Sequence, residues 1–159
     1  RTRFPATQTA RLAGEAPVKP WHLPWLYAHA MDRYEQFQEF RTRLNEKILG
    51  AEGGGTLVTR RFFALDDQTY RDTSDQSPPG LDKKTKELLG LAASMVLRCD
   101  DCIAYHIDQC VKAGCSDREL WETFDVALIV GGSIVIPHLR RGVEFLELAR
   151  KHAGGDHQH

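Results

Sequence analysis

Apolar and aromatic side chains recur at a spacing of three to four residues along most of this chain, the period of helices that bury one face. In "PWLYAHAMDRYEQFQEFRTRLNEKILG" the positions Leu26, Tyr27, Ala30, Tyr34, Phe37, Phe40, Leu44 and Ile48 keep that period. Pro24 suits a first helical turn and Gly50 suits a stop, so the spacing predicts a long helix over 24–49. A second stripe runs from Leu81 through Leu88, Leu89, Ala92, Met95 and Val96, with Asp82 and Glu87 toward its N-terminal side. A third helix is expected from near Cys99 to Gly114, a good residue for the left-handed cap position. "SDRE" at Ser116–Glu119 has the form of a capping box and opens a fourth helix to about Val130. Gly131 and Gly132 break it, and "SIVIPHLRRGVEFLELARK" makes a last helix with Pro137 near its start or at a kink.

No alternating pattern of the strand type stands out, so the expected fold is all-α, a compact domain of about five to six helices. The domain is expected over 21–151. Residues 1–20 mix Pro, Gly, Thr and charge without period and read as an extended arm. The stretch 50–80 reads as a loop-rich insertion, bounded by "GAEGGG" and "SPPG"; its middle suits either a short strand or a helical turn. The polar tail 152–159, with His152, His157 and His159, reads as flexible.

Composition narrows the function. The formal net charge is −1, and the Arg60-Arg61 and Arg140-Arg141 pairs are isolated, so nothing suggests a nucleic-acid or membrane-surface partner. No apolar run reaches the roughly 18 residues a membrane span requires, and the opening residues lack the apolar core of a secretory leader. The chain has 4 cysteines, too few for a disulfide scaffold. They read as thiols in a reducing, cytoplasmic setting.

The chemistry concentrates in "LRCDDCIAYHIDQC". At roughly 100° per residue, Cys99, Cys102, His106 and Cys110 all fall on one stripe of a helix. A helix N-terminus favours the thiolate, the reactive form of cysteine. Two cysteines one turn apart can close to a disulfide with little backbone movement, and His106, a turn beyond Cys102, can take or return a proton. Three readings compete. The stripe could simply pack a core; it could hold a metal through Cys99, Cys102 and His106, with His138 as a fourth ligand; or it could be a redox dithiol. A thioredoxin-like site would need a βαβ setting that this chain lacks. A redox dithiol in an all-α frame fits the pattern best. Cys110 reads as core and Cys115 as an ordinary loop thiol, while Trp21, Trp25 and Trp121 read as packing or interface anchors.

"LDKKTKELLGLAASMVLRCDDCIAYHIDQCVKAG" followed by "GGSIVIPHLRR" resembles the carboxymuconolactone decarboxylase/alkylhydroperoxidase D superfamily. The peroxidase branch of that family carries a Glu, eleven residues, CxxC, three residues and a His; here these are Glu87, Cys99, Cys102 and His106. The resemblance covers roughly 62–148. It implies an all-helical fold, homo-oligomers (trimers or hexamers), and no cofactor or metal. It also implies that Cys102 attacks a hydroperoxide substrate, that Cys99 resolves the product, and that Glu87 and His106 relay the proton. The electron donor would be a dithiol reductant, a lipoyl protein or a thioredoxin-like one. Where well-studied peroxidase members have a His just before the second Cys, this chain has Asp101, whose charge disfavours a neighbouring thiolate. Asp101 is therefore a pocket candidate rather than a relay residue, and His138, which follows Pro137 on the last helix, is another candidate to line the pocket. Two other functions stay open: a non-enzymatic redox- or metal-responsive binding protein, and a lactone decarboxylase-like enzyme. The decarboxylases of the superfamily lack the CxxC pair.

Overall fold

The structure, a computed structural model, describes residues 31–155. Among them all regular structure is helical: α1 (Arg33–Leu49), α2 (Leu57–Thr69), α3 (Lys83–Leu97), α4 (Asp100–Lys112), α5 (Asp117–Gly131) and α6 (Ile136–Gly155), with one 3-10 turn, Ser133–Val135, leading into α6. The expected arm, 1–20, and the segment of the first expected helix before residue 31 lie outside the described residues, as do Trp21, Trp25, His157 and His159.

Local chemistry sets where each helix begins. α1 begins at Arg33, not near Pro24, because Asp32 is extended (φ −75°, ψ 173°) and closes a capping box with Glu35. The box was there to be read in "DRYE", but the aromatic period ran past it. The middle of 50–80 is neither strand nor single turn but the 13-residue helix α2, capped by Thr56. Arg60 of α2 ties the glycine-rich loop before it, donating to the carbonyls of Leu49 (3.0 Å), Gly50 (3.2 Å) and Gly55 (3.1 Å). Ser116 and Glu119 form the expected capping box of α5. α6 continues through 152–155, the first residues of the expected tail, while 156–159 lie outside the described residues. His152 stacks on Tyr34 (ring centroids 4.7 Å apart) and meets the Asp32 carboxylate at 2.8 Å.

α4 is the central helix, packed on α3 and on α6, while α3 packs on α5. Leu91, Met95, Ile103, Ile107, Leu120, Phe124 and Phe145 fill the space between them. Burying side chains of this size contributes roughly 1.5–3 kcal/mol each. α1 lies on α6 through Tyr34 and Phe37, whose rings approach Phe145 at 5.5 and 5.2 Å, yet neither α1 nor α2 has a fully buried residue.

The buried face of α3 differs from the expected stripe. Glu87, Gly90, Leu91, Ser94 and Met95 face inward, and Leu81 and Leu89 are exposed. "LLGLAASMVL" is apolar on nearly every side, so period alone could not select the inward face.

Candidate redox site

α3 and α4 form a hairpin closed by two residues, Arg98 and Cys99. Arg98 takes the left-handed conformation (φ 60°) that glycine usually occupies, and the Cys99 N–H reaches back to the Ser94 carbonyl at 3.1 Å. This tight turn makes Cys99 the N-cap of α4: its sulfur accepts from the Cys102 N–H at 3.4 Å. Cys99 and Cys102 are joined as a disulfide, with Cα atoms 5.3 Å apart, and both are partly accessible. In the reduced state a thiolate here lies at the positive end of α4.

One turn further along, His106 Nδ1 lies 2.9 Å from Glu87 Oε2, across the hairpin. Both side chains are buried, Glu87 to 1% exposure. The second carboxylate oxygen, Oε1, has no hydrogen-bond partner among the described residues. Space for the imidazole comes from Gly90: a Cβ there would lie 2.5 Å from His106 Cε1 and 2.8 Å from both ring nitrogens. The rings of Tyr70 and Tyr105 flank His106 at 5.2 and 5.1 Å, and the Arg41 guanidinium covers Tyr105 at 4.1 Å. Burial, the Asp66 charge and the Glu87 charge push the Tyr70 hydroxyl above its ordinary value; burial and Glu87 do the same at Tyr105. Both remain neutral phenols at physiological pH.

The structure thus brings Glu87 and His106 together and places Cys102 on the same helix, one turn before His106. At that spacing side chains are neighbours. His138 goes elsewhere. Its Nδ1 meets Asp100 Oδ1 at 2.7 Å while Arg141 donates to Asp100 Oδ2 at 2.9 Å, so α6 clamps the first residue of α4 beside the cysteines. Asp101 is exposed. With His106 turned to Glu87 and His138 to Asp100, no three His, Cys, Asp or Glu side chains among the described residues are gathered as a metal ion needs.

Cys110 is core, as expected, but Cys115 is no ordinary loop thiol: at 1% exposure it is buried beside Cys110. The reason is backbone geometry. Gly114 (φ 75°) closes α4 with paired bonds, from its own N–H to the Val111 carbonyl (3.1 Å) and from the Cys115 N–H to the Cys110 carbonyl (2.9 Å). That turn folds Cys115 back onto the core. Burial, then the neighbouring Cys115, push the Cys110 thiol far up; burial also raises Cys115, against the hydrogen bond with Cys110 that lowers it.

Sequence reasoning missed Gly90, Tyr70, Tyr105 and the Asp100 clamp. Gly90 alone had a signal, an isolated glycine inside a helical pattern, which implies close approach of a neighbour.

The sequence profile of the carboxymuconolactone decarboxylase family matches residues 62–144. Two crystal structures of a family member from Thermotoga maritima, for which an antioxidative role has been suggested, are 55% and 56% identical to this chain. They superpose with TM-scores of 0.66 and 0.67, covering 76% and 77% of this chain and 95% and 99% of theirs. A family member from Legionella pneumophila is 27% identical, with a TM-score of 0.51 over 72% of this chain and 87% of that one. The Paracoccus denitrificans protein called "uncharacterized protein 4 in cox locus" is 25% identical over 93 residues, 58% of this chain and 78% of that protein.

Proposed function

This chain belongs to the carboxymuconolactone decarboxylase family, and from that premise we propose that it is a thiol-dependent peroxidase and disulfide reductase. The observation that carries the reading is the buried Glu87–His106 pair set one helical turn from a bonded Cys99–Cys102. The antioxidative role suggested for the Thermotoga maritima relative is in keeping with it.

Starting from the dithiol, the Cys102 proton passes to His106, steadied by Glu87. The thiolate attacks the terminal oxygen of a hydroperoxide, the O–O bond breaks, and the departing alkoxide takes the proton back from His106 to leave as an alcohol. Cys102 is then a sulfenic acid. The Cys99 sulfur attacks it, the S–S bond forms, and hydroxide leaves with the Cys99 proton as water. Two electrons have moved from the cysteine pair to the peroxide. A dithiol reductant, lipoyl or thioredoxin-like, reopens the disulfide by exchange and is itself oxidised. Proton delivery by a placed group is worth about 10²–10⁴-fold in rate.

Supporting features extend to the setting. The cycle needs a reductant that is itself kept reduced, which is in keeping with a cytoplasmic setting. Leu97, Val126, Ile129, Val130 and Ile134 expose a broad apolar face on α3, α5 and the turn after it. A face of that kind supports a homo-oligomer, with a trimer or hexamer as its expected size.

Peroxide consumption measured side by side with dihydrolipoamide, reduced thioredoxin and glutathione tests the activity. The expected result is turnover with at least one dithiol and little with glutathione. A protein whose pair is oxidised and reduced yet turns over with none of the three is a redox-responsive module, not a peroxidase.

A further inference from the structure

Glu87 has two oxygens and only one of them is used. Oε2 holds His106, while Oε1 is buried and has no hydrogen-bond partner among the described residues. Leaving a buried acceptor unmatched costs about 1–3 kcal/mol, more for a charged group. Glu87 is also one of the residues that line a polar cavity of about 310 Å³, bounded by Asp67 and Tyr70 at the end of α2, Lys83 at the start of α3, and Tyr105 and Gln109 of α4. A water occupies roughly 30 Å³ of liquid, so the cavity holds several. Asp67 and Lys83 are exposed, so it opens to solvent; Lys83 Nζ stands 3.5 Å from Gln109 Oε1 at its edge.

Position along the hairpin gives this cavity a meaning. Counting from the Arg98–Cys99 turn, α4 presents Cys102, then His106, then Gln109, while α3 presents Gly90 against His106, then Glu87, then Lys83 against Gln109. The cysteines stand at one end of the His106–Glu87 pair and the cavity at the other. Tyr70 and Tyr105 cover the imidazole between them.

We propose that this cavity is a proton port: water held on Glu87 Oε1 connects the buried Glu87–His106 pair to solvent on the side away from the sulfurs. The inference rests on the relay reading of that pair. Its chemical need arises in the reductive half of the cycle. A dithiol donor attacks as its thiolate, so the balance is enzyme disulfide plus donor bearing one thiolate and one thiol, plus one proton, giving enzyme dithiol plus donor disulfide. That one proton comes from water. The donor occupies the sulfur end while it reacts, and the port supplies the proton from behind.

The test uses formate as the probe. In Glu87→Ala the lost carboxylate leaves space continuous with the cavity, and formate entering there sits beside His106. With isotope-labelled histidine, formate should shift the His106 ring resonances saturably. Adding Lys83→Glu, which puts an acid at the cavity edge without touching Glu87 or His106, should weaken formate binding at least threefold. A folded Glu87→Ala protein with no formate-dependent shift, or one whose binding ignores Lys83→Glu, overturns the port. Formate should also restore part of the peroxidase rate. A saturable shift that Lys83→Glu weakens, without recovery of rate, supports the port and contradicts the relay instead. Should Glu87→Ala not fold, exchange of the His106 ring N–H with water decides in the otherwise unaltered chain: Gln109→Trp, filling the cavity, should slow it at least fivefold, and an unchanged rate overturns the port.

Discussion

Helix α4 carries a cysteine pair at each end, and the two pairs have opposite surroundings. At the N-terminus Cys99 and Cys102 are bonded, partly accessible, and set where the helix dipole favours negative charge. At the C-terminus Cys110 and Cys115 are free thiols with 0% and 1% exposure, pushed upward by burial and placed where the dipole opposes a thiolate. Identical side chains on one helix therefore have different chemistry. In the proposed mechanism position decides which pair reacts, and Glu87 and His106 serve only the first.

The sharpest way to break that contrast is to exchange the roles by mutation. Cys102→Ser should abolish peroxide turnover, whereas Cys110→Ser should leave the rate per folded molecule unchanged; a steady-state peroxide assay reads both. If Cys110→Ser abolishes peroxide turnover without unfolding the protein, the two ends are not chemically distinct.

Next in size is the relay. Glu87→Gln keeps the shape but not the charge, and should slow peroxide reduction about 100-fold, within the range for a placed proton-transfer group. Its melting temperature should move little, since the carboxamide retains a hydrogen bond to His106. A normally melting variant with full activity would remove Glu87 from the reaction.

Gly90→Ala has a smaller, mixed effect. The added methyl overlaps the His106 ring, so about 1–3 kcal/mol of stability should be lost to overpacking, and the rate should fall roughly tenfold as the imidazole is displaced (within the ~10²–10⁴-fold of the whole proton-transfer effect). On an exposed helix the same change would instead stabilise by about 0.5–1 kcal/mol. Denaturant unfolding distinguishes the two signs. Smallest is Cys115→Ala, which should cost about 1 kcal/mol through the cavity left behind and leave the rate alone. Its sulfur matters to packing, not to chemistry.

The same contrast marks what could be read from the sequence. α4 was legible because its signals are local: the stripe Cys99–Cys102–His106–Cys110, Gly114 at the left-handed position, and "SDRE" beyond it. Glu87 was singled out only through the spacing that the family resemblance supplied, and its pairing with His106 is what the structure adds. Cys115 was misread because a sequence does not show that the Gly114 turn aims it inward. α2 was hidden because glycines crowd its approach, and the loop is held by contacts no local pattern shows: Arg60 reaching back to the loop carbonyls, and the Gly54 and Gly55 N–H groups bonding the Lys47 and Ile48 carbonyls. The inward face of α3 needed the neighbours too: Leu89 faces out and Leu91 in because Gly90 must face His106. The Asp100–His138–Arg141 clamp joins residues about forty positions apart, beyond the reach of any local pattern.

The most direct test of the central claim follows the oxygen. Cys99→Ser protein, reduced and then given one equivalent of hydroperoxide in the presence of a sulfenic acid trap, is digested and mapped by mass spectrometry. The account predicts a single trapped adduct on Cys102, with Cys110 and Cys115 unmodified. An adduct on Cys110 or Cys115, or none at all while peroxide is consumed, would contradict it.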